Sequence, residues 1–156
     1  MKEIVRRMLW IGAASVLWVG GSGCQSMMGP ASASFASVTI GGYEPREVIA
    51  TTIKVFESHG YKTIVTGENL IFEREGSQWD QTAYAIGGSP VVNRVRAQVV
   101  DLGGAACRVQ CTAYIVRDPG TSYEDAIRLQ SPRSGPYREM MNEVMRRMTD
   151  VTIVKP

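Results

Sequence analysis

The sequence predicts an α+β fold, β-α-β-β-β-β-α, in which an antiparallel sheet carries two helices packed on one face. Two observations carry this reading. Residues 61–74 and 91–116 each read as a pair of alternating strands around a glycine-containing turn. Residues 45–60 and 136–148 each repeat apolar side chains every three to four positions.

The elements follow in order. Phe35 to Ile40 alternates as a first strand, and Gly41-Gly42 breaks it. Pro45 suits the first position of a helix, where its missing N–H is no loss. Val48, Ile49, Thr52, Ile53 and Phe56 share one helical face, and Gly60 provides the C-terminal stop. His59, the one histidine, then falls in the last turn, a surface position where a helix C-terminus favours the charged ring.

Tyr61 to Thr66 and Asn69 to Arg74 flank Gly67-Glu68, a two-residue loop suited to a type II′ turn. That register opposes Val65 to Leu70 and Thr63 to Phe72 on one face, and Ile64 to Ile71 and Lys62 to Glu73 on the other. Opposite charges at Lys62 and Glu73 support it.

Glu75 to Pro90 reads as a long connection. Within it, Trp79 and Tyr84 either form an aromatic binding lip or fold over an edge of the core. Val91 to Asp101 and Ala105 to Val116 form a second hairpin. A three-residue loop, Leu102-Gly103-Gly104, opposes Val99 to Cys107, Ala97 to Val109 and Val95 to Cys111, with Gly104 left-handed. The outward face then carries Arg94, Arg96, Gln98, Arg108, Gln110, Thr112 and Tyr114. This face is either simply solvated or meets an anionic glycan, a lipid head group or an acidic protein.

Arg117 to Gly135 is irregular and polar, although Ser122-Tyr123-Glu124-Asp125 has the pattern of a helix start. The last helix runs from Pro136 to Met148 behind Ser134 or Gly135. Tyr137, Met140, Met141, Val144, Met145 and Met148 line its sheet-facing side. Thr149 to Pro156 reads as a short, partly extended tail.

The start of the chain is a different kind of sequence. Lys2, Arg6 and Arg7 precede an apolar run from Met8 to Val19. That run is short of the about 20 residues a membrane-spanning helix needs, and it matches the core of an export signal. Small residues Gly21-Ser22-Gly23 then lead into Cys24. This segment resembles a bacterial lipoprotein precursor with its lipobox, although Gly21 stands where that motif usually has leucine. The resemblance implies removal of residues 1–23, a lipid on the Cys24 thiol, and a membrane anchor. Gln25 after the cysteine implies, by the enterobacterial sorting rule, delivery to the outer membrane facing the periplasm. A plain secretory signal with another cleavage site is the competing reading.

Residues 24–36, rich in Ser, Ala, Met and Gly, read as a flexible tether, and residues 37–156 as one α+β domain. The formal charge of +2 belongs to the leader. Residues 1–23 hold three of seventeen basic and one of fifteen acidic residues, leaving fourteen of each. A neutral remainder gives no reason to expect nucleic acid.

With Cys24 acylated, Cys107 and Cys111 are left four apart on one strand. At about 3.3 Å per residue their Cα atoms lie roughly 13 Å apart, against the about 7 Å limit for a bridge. Both read as small buried apolar residues. No nucleophile elbow, zinc motif, phosphate loop or dinucleotide fingerprint is present. One histidine and no carboxylate cluster supply no metal set, and nothing calls for a cofactor. Glu75 and Asp80, both in the long loop, could in principle act as the paired carboxylates of a hydrolase.

In outline the element order is similar to helix-grip and TATA-binding-protein-like folds. The expected function is a non-enzymatic, lipid-anchored envelope domain that binds another envelope component, a protein or glycan, or acts in an assembly. Its candidate surfaces are Arg94, Arg96, Arg108 and Tyr114 on the sheet and Trp79 and Tyr84 in the loop. The alternative is a small-ligand carrier or sensor with a closed apolar pocket between sheet and helices.

Overall fold

The computed structural model describes residues 35–66, 69–85 and 87–153, within a unit spanning Ala31–Pro156. Residues 1–34, including Cys24 and most of the expected tether, lie outside the described residues, as does the Gly67-Glu68 turn. Phe35 and Ala36, at the end of the tether, are buried, and Phe35 meets Tyr137 edge-on at 5.2 Å.

The order is β1 (Ala36–Gly41), α1 (Pro45–Ser58), β2 (Lys62–Thr66), β3 (Asn69–Glu75), α2 (Gln78–Tyr84), β4 (Val91–Gly103), β5 (Ala106–Arg117), β6 (Asp125–Arg128) and α3 (Gly135–Ile153). All strand pairs are antiparallel, in the order β1-β5-β4-β3-β2. β6 pairs with the far end of β5, so β1 and β6 share one edge of that strand. The fold is the expected α+β class with helices on an antiparallel sheet. Six strands and three helices stand among the described residues, where the sequence predicts five and two.

α1 forms where its sequence signals place it. Pro45 opens it, and the Glu44 N–H donates to Glu47 Oε2 at 3.3 Å. Val48, Thr52, Val55 and Phe56 are its buried face, and the Thr52 hydroxyl is satisfied by Val48 O at 2.7 Å. The helix closes in a Schellman motif: Tyr61 N–H bonds Phe56 O, Gly60 N–H bonds Glu57 O, and Gly60 takes φ +81°. Phe56 also packs edge-on against Tyr61 and stacks at 4.1 Å on Phe72, which ties the helix to the sheet.

The first hairpin has the expected register, with Lys62 opposite Glu73 and Thr63 opposite Phe72. The second does not. Val99 opposes Val109, Ala97 opposes Cys111 and Val95 opposes Ala113, a shift of two from the expected pairing. The turn is the two-residue Gly104-Ala105, both at positive φ as a type I′ turn requires, with an irregularity between Asp101 and Gly103 just before it. A slip of two leaves every side chain on its expected face, so the buried set is unchanged.

Three segments depart from expectation. The connection at 75–90 contains α2. Ser122 and Tyr123 form a turn, not a helix start, and Asp125 begins β6. Residues 149–153 continue α3 instead of forming an extended tail. Ser134 precedes α3 but turns its hydroxyl back to Ser131 O at 2.7 Å.

The core lies between the sheet and the helices. Ile40, Leu70, Phe72, Val95, Val109 and Ile115 point inward from the strands against Val48, Phe56, Met140, Met141, Val144 and Met148. Met145 remains 39% exposed, outside the stripe expected of it. Cys107 and Cys111 are free and buried in this core. Burial pushes the Cys111 thiol pKa up to about 12.

Candidate functional site: a polar cleft beneath the start of the last helix

One end of the core is polar. Asn93 sits at an inward position of β4, between Val91 and Val95, where alternation would place an apolar residue. Its partner is Asp80 on α2, which is only 2% exposed. The pair exists because α2 forms. Ser77 caps that helix, its Oγ accepting from the Asp80 N–H at 3.2 Å. Asp80 Oδ2 accepts in return from the Ser77 N–H at 3.1 Å and from Ser77 Oγ at 2.7 Å. The reciprocal cap turns the Asp80 carboxylate back over Asn93, whose Nδ2 donates to the same Oδ2 at 3.1 Å. Arg133, in a 3-10 turn at Ser131–Arg133, completes the cluster with Nη2 at 2.7 Å from Asp80 Oδ1.

These residues line a cleft of about 310 Å³ that also takes in Tyr61, Arg74 and Tyr137. Burial alone would raise the Asp80 carboxyl. Hydrogen bonds from Arg133, Ser77 and Asn93 outweigh it and hold the pKa down to about 2. Burial raises both Tyr61 and Tyr137. Asp80 is thus a fixed anion with its oxygens engaged, and the tyrosines are fixed neutral.

Two buried polar atoms here have no partner among the described residues: Asn93 Oδ1 and Arg133 Nη1. The Asn93 orientation is forced, since a carboxylate only accepts and the amide nitrogen must face it. Arg133 is itself clamped, with its guanidinium carbon 5.1 Å from the Trp79 ring centroid and 6.0 Å from that of Tyr84. Trp79 and Tyr84 meet edge-to-face at 6.0 Å. Trp79 is 62% exposed, while Tyr84 is half-buried and packs against the core.

The sheet-face candidates lie on the opposite side of the sheet and are divided among themselves. Arg94 is held between Glu73 and Glu124, the latter gripped by two guanidinium nitrogens. Arg94 and the Gly120 N–H together lower Glu124 to about 2. The positive charge of Arg94 is therefore already matched. Arg96 is exposed and stacks over Tyr114 at 5.3 Å, beside Thr112, while Arg108 is half-buried opposite Val100 and Thr39. Ile64, 45% exposed, opposes Ile71 on the same face.

His59 bonds Glu143 at 2.8 Å across to α3. Glu75 is exposed while Asp80 is buried in its ion pair, so the two carboxylates of the hydrolase reading sit in unlike surroundings. Among the described residues no group of His, Cys, Asp and Glu could hold a metal ion. No helix among them is long and apolar enough to cross a membrane.

Sequence reasoning misses Asn93 and Arg133 and values Asp80 only as half of a catalytic pair. Signals for two of the three exist. Ser77 and Asp80 have the spacing of a reciprocal helix cap. Asn93 interrupts the inward series of Val91 and Val95, a polar residue where the strand's alternation calls for an apolar one. Arg133 carries no local signal, because it reaches Asp80 across 53 positions of chain.

No protein-family model matches this chain, and no curated protein matches it either.

Proposed function

We propose that this chain is a non-enzymatic binding domain, held at the periplasmic face of the outer membrane by lipid on Cys24. Its contact surface is the corner where α2, the 3-10 turn and the start of α3 meet. The observation that carries this reading is an exposed Trp79 held against Arg133, which itself lines a polar cleft. The outer sheet face is the weaker candidate, since Arg94 is neutralised in place.

Cross-linking in the native envelope, followed by mass spectrometry, tests the proposal. Cross-links to another envelope component should centre on α2 and residues 129–137. Cross-links confined to the face of Arg96, Arg108 and Tyr114 would refute the assignment. The lipid anchor is checked separately by intact mass, which should show an acylated chain beginning at Cys24.

A second reading, a small-ligand carrier or sensor, is favoured by the cleft volume of about 310 Å³ between sheet and helices. Because polar side chains line much of that cleft, its ligand would be polar and would enter from the α2–α3 corner.

A further inference from the structure

The end of the sheet that carries the corner also receives the chain. Glu75 opposes Val92 and Val91 opposes Arg117, so the segment holding α2 and the turn at 118–124 leave the sheet at one end. They are joined there, where the Asp118 N–H donates to Pro90 O at 3.1 Å. Each presents an exposed aromatic ring, Trp79 in the first and Tyr123, 82% exposed, in the second. β1 runs from Ala36 opposite Cys111 to Gly41 opposite Ala106, so the chain comes in from this end too. Phe35 meets Tyr137, which lines the same cleft as Arg133, and Arg133 lies over Trp79. The charges here are largely matched: Arg133 by Asp80, Arg117 by Asp125, Arg94 by Glu124, with His59 against Glu143. At the cleft the exposed Arg74 and Glu139 offset each other, while Glu75 and Asp118 add negative charge.

We propose that this end rests on the bilayer that anchors the chain, with Trp79 and Tyr123 seated in the headgroup layer of a zwitterionic phospholipid surface. The inference rests on the proposed function of the corner and its lipid at Cys24, and it names the envelope component met there. From Cys24 to Phe35 the chain reaches at most about 40 Å. That holds the domain at the surface, and the end where the chain enters needs the least of that reach. Held so close, the domain docks through an intramolecular step, for which two rings suffice. Tryptophan and tyrosine join an apolar ring to a polar tip, which suits a boundary apolar on one side and wet on the other. An anionic surface would call for a basic patch, and this end has none.

After residue 23, Trp79 is the one tryptophan in the sequence, so its fluorescence reports the contact without a label. The test places the acylated chain, its start at Cys24 checked by intact mass, in vesicles of phosphatidylcholine and phosphatidylethanolamine. Half of the samples carry lipids brominated on the upper acyl chain. Quenching of Trp79 by the brominated lipid is the expected result. Tyr123→Ala should lower the ratio of docked to undocked chain about tenfold, with circular dichroism unchanged. Leu102→Ala, at an exposed position at the opposite end of the sheet, should leave that ratio as it is. Unquenched emission would overturn the inference, as would quenching that requires added phosphatidylglycerol, equal loss with Leu102→Ala, or an intact mass without lipid. If Trp79 stays unquenched while cross-links to an envelope protein map to α2 and residues 129–137, the bilayer is wrong and the binding corner stands; if the cross-links also lie elsewhere, both fall.

Discussion

At the scale of single residues, Asp80 concentrates the most consequence. Its pKa, lowered from 3.8 to about 2, lies below the unfolded value. The stability it contributes is therefore fully present above the ordinary carboxylate range and is lost as pH falls toward about 2. That shift corresponds to about 2 kcal/mol. Urea unfolding at a series of pH values should show an acid limb of at least this size, and Asp80→Asn should remove the part that Asp80 contributes. Glu124 titrates in the same window, so Glu124→Gln serves as the control. Arg133→Met leaves Asp80 buried without its cation and should cost about 3–5 kcal/mol by the same measurement.

Elements differ in how plainly their residues announce them. The hairpin of β2 and β3 is legible because its pairing makes sense on both faces, down to Lys62 opposite Glu73. The β4–β5 hairpin is legible only in part. Alternation fixes which face a residue takes and is blind to a slip of two, and the slip depends on Ala105 adopting φ +58°. Because that conformation is strained for a residue with a Cβ, Ala105→Gly should stabilise the protein by about 0.5–1 kcal/mol, read as a higher urea midpoint.

α2 escapes a periodicity search because seven residues give only two turns; its cap alone is written in the sequence. Ser77→Ala should cost about 1 kcal/mol and raise amide exchange through residues 78–84. β6 escapes for a related reason: four mostly exposed residues carry no pattern and rely on the edge of β5. α3 outruns its expected end because no glycine or proline intervenes before Pro156, and an established helix extends at little cost.

For the whole molecule, the two ends of the core have different tasks. The apolar end, with Phe56 on Phe72 and the methionines of α3 on the sheet, holds the fold. Phe56→Ala should cost about 3–5 kcal/mol without altering the cleft's chemistry. The polar end is hidden from the sequence because Asp80, Asn93 and Arg133 come from three segments that only the finished packing brings together. It is here that the anchored domain is proposed to meet its partner. Quantitative recovery of co-purifying envelope components from native membranes tests that most directly. Recovery should fall with Trp79→Ala and stay unchanged with Arg96→Ala and Arg108→Ala; loss with the two sheet-face variants and not with Trp79→Ala would contradict the account.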